Sequence, residues 1–172
     1  PVPGTNFIDC LAAFEAERAR APNDQDRLVD AVDAHAWVAD SLVKLGRPRE
    51  DYAEREGAAN LLAQASAKTA SDKPLAARSL AAQLALARLE LDLGRTAHGA
   101  ARSTQALNGL RALVSLDPTN ARWREYLLIG QLDAVDFAAW SGRLAQARSA
   151  RAEAVAILAD LRTGDEAKSW RA

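Results

Sequence analysis

The chain has no methionine and a single cysteine, Cys10, among its 172 residues. One cysteine excludes an internal disulfide framework and a zinc site built from several cysteines. Aromatic residues make up only 5% of the chain, which argues against a sheet protein. No apolar run approaches the roughly 18 residues that a membrane-spanning helix needs. Because no initiator methionine is present, we expect the chain to be a segment of a longer protein.

Alanine and leucine dominate the composition. The 40 alanines and 23 leucines make up more than a third of the residues, and both are strong helix formers. The charges nearly cancel, with 22 Lys and Arg against 23 Asp and Glu. We therefore do not expect a nucleic-acid partner, because proteins that bind nucleic acids usually have a basic surface. We also do not expect this chain to insert into a membrane, because it has no long apolar segment. The composition predicts an all-α protein.

A Gly-Arg pair recurs at a fixed interval along the chain. Gly46, Gly94 and Gly142 each precede an arginine, and they are separated by 48 residues. Equal spacing of this kind indicates a repeated structural unit within one domain. The expected units are a half repeat at 6–21, repeats at 22–69, 70–117 and 118–165, and the start of a further repeat at 166–172.

Each repeat has the pattern of two helices. Apolar residues recur at three- and four-residue steps after Asn23 or Asp24, either of which is a suitable N-cap. Gly46 then supplies the left-handed residue that ends a helix, and Pro48 begins the next one. The expected helices are 6–20, Gln25–Leu45, Pro48–Lys68, Pro74–Leu93, Ala97–Leu116, Ala121–Trp140 and Leu144–Leu161.

The third repeat contains the most informative combination of residues. Asp117, Pro118 and Asn120 precede its first helix, and Gly142 separates that helix from the second. This pattern resembles the tetratricopeptide repeat (TPR), in the extended form found in bacterial signalling proteins such as serine/threonine kinases and transcriptional regulators. The matching positions are Asp117, Pro118, Asn120, Trp123, Arg124, Leu127, Asp136, Gly142, Ala147 and Ala154.

The resemblance implies an α-α superhelix, a TPR-like solenoid of about seven antiparallel helices whose first helices line a concave binding surface. It implies a non-catalytic scaffold or sensor module that binds a protein or peptide. Where the family usually has an aromatic residue in the first helix, this chain has Leu42, Glu90 and Ala138. The family's inward positions, carried over to this chain, give the candidate partner-binding residues Asp33, Ala36, Asp40, Leu84, Arg88, Leu91, Leu132, Asp136 and Trp140.

No motif in the sequence indicates catalysis. It has no phosphate-binding glycine loop, no His-Glu-x-x-His zinc motif and no calcium-binding loop. His35 and His98 lie in different repeats, and no third ligand accompanies them. His35 takes the repeat position of Gln83 and Gln131, which predicts a polar residue on a helix surface. We expect Cys10 to be packed rather than reactive, and we expect no enzyme activity, cofactor or metal.

The charges are unevenly distributed along the chain. Residues 1–60 have 7 Lys and Arg against 12 Asp and Glu, and residues 61–172 have 15 against 11, so the net charges are −5 and +4. One interpretation is an acidic region and a basic strip that attract a partner of mixed charge. The other is a set of ordinary solvated helix faces. The acidic region contains Asp30, Asp33 and Asp40, and the basic strip contains Arg143, Arg148 and Arg151.

Three tryptophans occur in first helices. Trp123 matches a family position and is expected in the core. Trp37 and Trp140 lie off the regular apolar register of the repeat. Packing between helices is the more frequent outcome for such residues, and the alternative is an exposed anchor for a partner.

Self-association is a second functional hypothesis. Apolar residues near both ends of the chain, Phe7, Ile8 and Leu11 at one and Leu158 and Leu161 at the other, would pair between copies. Members of the resembled family occur in the cytoplasm and as outward-facing arrays anchored in a membrane. The resemblance therefore leaves the localisation open between cytoplasm and periplasm.

Overall fold

The computed structural model describes residues 5–21 and 24–163, and α-helices account for all its regular secondary structure. Seven helices occur within these residues, and each begins and ends within two residues of its expected bounds. The all-α fold class is therefore confirmed. The helices are α1 (Thr5–Arg20), α2 (Gln25–Lys44), α3 (Pro48–Lys68), α4 (Lys73–Asp92), α5 (Thr96–Leu116), α6 (Ala121–Trp140) and α7 (Leu144–Thr163).

A left-handed glycine ends the first helix of each repeat. The backbone angle φ is +68° at Gly46, +77° at Gly94 and +69° at Gly142. Any residue with a Cβ would be strained by about 1–2 kcal/mol in this conformation. The N–H of Arg47 donates to the carbonyl of Leu42 at 2.9 Å, which closes a Schellman motif, and the same bond recurs after the other two glycines. The spacing of the Gly-Arg pairs thus reflects three equivalent helix ends.

The starts of the first helices have the same spacing. Asp24, Asp72 and Asn120 lie 48 residues apart and precede α2, α4 and α6. The side chain of each accepts a hydrogen bond from the backbone N–H three residues further on, at 3.3, 2.9 and 3.1 Å respectively. These bonds satisfy N–H groups that have no partner within the helix. Asp24 is therefore the N-cap of α2, one of the two expected residues.

The chain forms two compact units that divide within α4, between Ala82 and Gln83. In the first unit α2 packs against α1 and α3, and in the second α6 packs against α5 and α7. The short connections within each unit make α2 antiparallel to α1 and α3, and α6 antiparallel to α5 and α7. The core of the first unit includes Leu28, Val32, Ala58, Leu62 and Leu75. Fully buried apolar residues of the second unit include Leu86, Ala87, Ala106 and Leu110.

Small residues allow the helices to approach closely. Ala39 and Ala59 in the first unit, and Ala87 in the second, have no solvent exposure. At Gly99 on α5, an added Cβ would lie 2.7 Å from the carbonyl oxygen of Ala87 on α4. The two backbones are therefore in direct contact at this point.

A buried carboxylate connects α4 to α5. Glu90 has no solvent exposure and accepts hydrogen bonds from Arg102, with Nη2 at 3.0 Å and Nε at 3.2 Å. Arg102 also donates to Gln83. In the other two repeats the position of Glu90 is a buried apolar residue, so the ion pair is specific to the middle repeat. A buried ion pair of this kind is destabilising when either partner is lost alone.

We expect Arg102→Leu to destabilise the protein more than the double change Glu90→Leu with Arg102→Leu. The single variant removes the guanidinium group from the buried Glu90 carboxylate and leaves His98, whose Nδ1 lies 2.7 Å from it, at a cost of about 3–5 kcal/mol. The double variant should recover most of this loss, because Leu42 fills the equivalent buried position of the first repeat. Urea denaturation of both variants measures the difference. A double variant no more stable than Arg102→Leu would contradict the role of the pair.

Candidate functional site

The candidate partner-binding residues divide between the two units. Asp33, Ala36 and Asp40 lie on α2 in the first unit. In the second unit, α4 and α6 contain the other six, which are Leu84, Arg88, Leu91, Leu132, Asp136 and Trp140.

One side of α2 has a row of acidic side chains around an exposed tryptophan. Trp37 is 56% exposed. Two of the acids have basic neighbours, since Asp33 lies 3.9 Å from Arg78 and Asp40 lies 2.8 Å from Arg55. Four carboxylates against two guanidinium groups leave the row negatively charged. We call this row the α2 strip, and it consists of Asp26, Asp30, Asp33, Trp37 and Asp40.

The corresponding side of α6 is more apolar. Its exposed fractions are 47% for Ile129, 53% for Leu132 and 78% for Trp140, and Asp136 lies between the last two on the same face. These four residues form the α6 strip. Exposed apolar side chains in a row along one helix, bordered by charges, are typical of a surface that binds a partner.

A cluster of three carboxylates surrounds Arg88 beside the α6 strip. Arg88 on α4 donates to Asp136, and its guanidinium lies 3.5 Å from Asp133 and 3.6 Å from Asp92. Arg88 and Asp136 are 48 residues apart, so equivalent positions of successive first helices meet in this pair. One cation among three anions leaves the border of the strip acidic.

The cluster shifts the pKa values of two of its members. The hydrogen bond with Asp136 is the main reason that the pKa of Arg88 is raised above its usual value, and burial opposes it. Burial raises the pKa of Asp133, and the positive charge of Arg88 offsets this only in part. The arginine therefore stays charged, and Asp133 holds its proton more tightly than an exposed carboxyl does.

Leu84 does not belong to this surface. It is 2% exposed, and an added Cβ at Gly130 would lie 2.8 Å from its Cδ1 atom. The missing side chain of Gly130 makes room for Leu84 in the core, so we remove Leu84 from the candidate surface. Leu91 is half-buried.

Sequence reasoning missed two residues of this region, Ile129 and Asp133. Each lies three residues before a residue that was identified, Leu132 and Asp136 respectively. Positions three residues apart share a face of a helix, so helical periodicity applied to those two residues was the available signal.

Packing between helices was the favoured expectation for Trp37 and Trp140, and it is wrong. Both side chains are exposed to solvent, at 56% for Trp37 and 78% for Trp140. On α2 the core side includes Val38 and Leu42, and Trp37 lies on another face of that helix. Trp123 is 8% exposed and lies in the core, as expected.

His35 is buried at 7% exposure, whereas the sequence predicted a surface position. Its Nδ1 lies 2.9 Å from Glu54 and its Nε2 lies 3.3 Å from Glu15. Gly57 makes this placement possible, since an added Cβ there would lie 2.8 Å from Cε1 of His35. The ring thus lies between three helices and has a carboxylate on each side.

Neighbouring residues on α1 have environments opposite to those expected. Cys10 is exposed rather than packed, because α1 packs against α2 through a neighbouring face of the helix, which includes Leu11. Leu11 is 9% exposed and packs with a cluster that includes Val38, so it is not available for association between copies. The side chains of Phe7 and Ile8 lie outside the described part of the chain.

Neither a metal centre nor a membrane span is found in residues 5–21 and 24–163. No group of three or more His, Cys, Asp or Glu side chains there is placed to hold a metal ion. No helix in the same ranges combines the length and the apolar composition needed to cross a bilayer.

Comparison with protein-family models, curated proteins and solved structures finds no match to this chain. Its surfaces and cavities are therefore the basis for a functional assignment. The α6 strip has three large exposed apolar side chains, whereas the α2 strip has one, and the Arg88 cluster borders the α6 strip.

Proposed function

We propose that this chain is a tetratricopeptide-like module that binds a protein or peptide, as a scaffold or sensor segment of a bacterial signalling protein. Paired helices, N-caps at a period of 48 residues and left-handed glycines at the same period support this assignment. The exposure of Ile129, Leu132 and Trp140 along one face of α6 is the observation on which the proposed binding surface rests.

The chemistry of the α6 strip defines the class of partner. Trp140 offers a large and rigid apolar surface, which is typical of residues that dominate binding energy. The carboxylates of Asp92, Asp133 and Asp136 outnumber the single cation of Arg88. A complementary partner is an amphipathic helix with Leu or Phe side chains for the strip and Lys or Arg beside them.

The α2 strip has the same combination of features in the first unit. Its exposed Trp37 lies among four aspartates, so it also suits a segment with apolar and basic side chains. A tryptophan bordered by acids therefore occurs in both units, at different repeat positions.

We expect helical peptides selected from a displayed library against the full chain to require the α6 strip. Selected peptides should have basic and apolar residues at helical spacing. Trp140→Ala should weaken their binding at least tenfold, or about 1.4 kcal/mol, because it removes the largest exposed apolar side chain of the strip. Fluorescence anisotropy with labelled peptides measures the affinity, and circular dichroism confirms that each variant is folded.

Leucine variants provide a matched control. Leu132 and Leu116 are both exposed, at 53% and 67%, but only Leu132 belongs to the strip. Leu132→Ala should weaken binding and Leu116→Ala should not. Peptides that bind equally well to Trp140→Ala, Leu132→Ala and the unchanged chain would refute the assignment of this surface.

Self-association is a second candidate, favoured by a basic and apolar row along α7. Val155 is 57% exposed and Leu158 is 45% exposed, and Arg148 and Arg151 lie on the same face at helical spacing. This row is complementary in charge to the α2 strip, so one copy would bind α2 of another through α7.

We expect this association, if it is the function, to weaken with salt and with charge reversal. Arg148→Glu with Arg151→Glu should abolish the concentration-dependent association seen by sedimentation velocity, because the changed residues would repel the acidic α2 strip. A chain that sediments as a monomer at every concentration and at low salt would eliminate this candidate.

A further inference from the structure

A pocket of about 270 Å³ opens in the second unit where α5, α6 and α7 meet. Its apolar wall includes Leu107 and Phe137, and its polar lining includes Arg111, Arg143 and Glu153. Pockets that bind organic ligands usually begin at roughly 300 Å³, so this one suits a small molecule of about ten heavy atoms or fewer. On α6, its lining residues lie on the face opposite to the α6 strip.

Two buried polar groups line this pocket without a hydrogen-bond partner in the described part of the chain. They are Nε2 of Gln131, whose residue is 1% exposed, and Oγ of Ser103, whose residue is 2% exposed. Buried polar groups are almost always paired, since an unpaired one loses its hydration without compensation. An acceptor bound in the pocket would supply the hydrogen bonds that these two groups lack among the described residues.

The first two repeats fill the same place with a polar pair. In the first repeat His35 on α2 contacts Glu54 on α3, which is 19 residues later, at 2.9 Å. In the second repeat Gln83 on α4 accepts a hydrogen bond from Arg102 on α5, again 19 residues later. The first helix of each repeat thus has a polar residue here that the second helix satisfies.

The third repeat keeps the first half of this pair and lacks the second. Gln131 lies 48 residues after Gln83, and the residue 19 positions after Gln131 is Ala150. Both Gln131 and Ala150 line the pocket. The pocket therefore lies where the other repeats place a charged side chain, and Gln131 remains without its counterpart.

We propose that this pocket binds a small organic acid that has an uncharged acceptor, such as a ketone, at its other end. The acceptor belongs beside Gln131 and Ser103, because these donors are neutral and an anion buried there would be poorly compensated. The carboxylate belongs beside Arg143, which is exposed, whereas Arg111 is already paired with Glu153 at 3.1 Å. The carbon chain between them lies against Leu107.

Methyl-keto acids of five to seven carbons test this assignment directly, with 4-oxopentanoate, 5-oxohexanoate and 6-oxoheptanoate as probes. Titration of the ¹⁵N-labelled full chain should shift the side-chain amide signal of Gln131 in a saturable manner, and that signal is identified by its loss in Gln131→Leu. Hexanoate, which lacks the ketone, and 2-hexanone, which lacks the carboxylate, should each bind at least tenfold more weakly than the best keto acid.

Ala150→Glu should abolish binding and keep the fold. The new carboxylate would accept a hydrogen bond from Gln131, as Glu54 pairs with His35 in the first repeat, and it would fill the pocket. Ala152→Glu is the matched control, because Ala152 is exposed on α7 and lies outside the pocket lining, so this variant should still bind. If Ala150→Glu does not fold by circular dichroism, Gln131→Leu is the deciding variant, and its binding is followed by the backbone amide signal of Ala150 in the pocket lining, because the Gln131 side-chain signal is absent from it.

Three results would overturn the proposal. The first is the absence of a saturable shift with any keto acid, which would mean that the pocket holds water alone. The second is equal binding of hexanoate and 5-oxohexanoate, which would show that Gln131 and Ser103 do not select the ligand. The third is unchanged binding by folded Ala150→Glu or Gln131→Leu, which would place the probe elsewhere on the protein.

Discussion

Close approach between helix backbones is the constraint on which the rest of this structure depends. Aromatic residues are scarce, so the interior is filled mainly by leucine and alanine, and a single hairpin of such helices buries little apolar surface. The helices compensate by packing at short distance, as where Gly99 brings α5 against the carbonyl of Ala87. The alanine content that first indicates helices is thus also what allows them to pack.

The fixed period places equivalent residues of each repeat in equivalent positions, and the differences between repeats create the candidate sites. His35 and Gln83 each pair with a side chain of the second helix of their repeat, whereas Nε2 of Gln131 has no hydrogen-bond partner among the described residues, and Gln131 lines a pocket. Differences between repeats that share the 48-residue period thus give α6 two different faces. One face is the exposed α6 strip, and the other lines the pocket.

Local signals made the helix bounds predictable from the sequence. An N-cap such as Asp24 and a left-handed glycine such as Gly46 act through the backbone of their own helix, so their effect does not depend on the rest of the fold. The environment of a side chain depends on what lies opposite. His35 is buried because Gly57, 22 residues later, leaves space for its ring, and no local pattern encodes that contact.

The candidate surface was less predictable than the helix bounds, because the exposure of a side chain depends on which residues of other helices lie opposite it. Arg88, Leu132 and Asp136 do lie together in the second unit, since carrying over a repeat position identifies the face of a helix. The same step also selected Leu84, because register alone does not show that Gly130 opens a cavity for it in the core. The exposure of Trp140 required the packing of α6 to be known.

Gly99→Ala, measured by urea denaturation of the full chain, tests the close-approach account most directly. A glycine-to-alanine change inside a helix ordinarily stabilises a protein by up to about 1 kcal/mol, because alanine is the better helix former. We predict the opposite sign here, a loss of stability, since the new Cβ would lie 2.7 Å from the carbonyl oxygen of Ala87. A variant as stable as the unchanged chain, or more stable, would contradict the account.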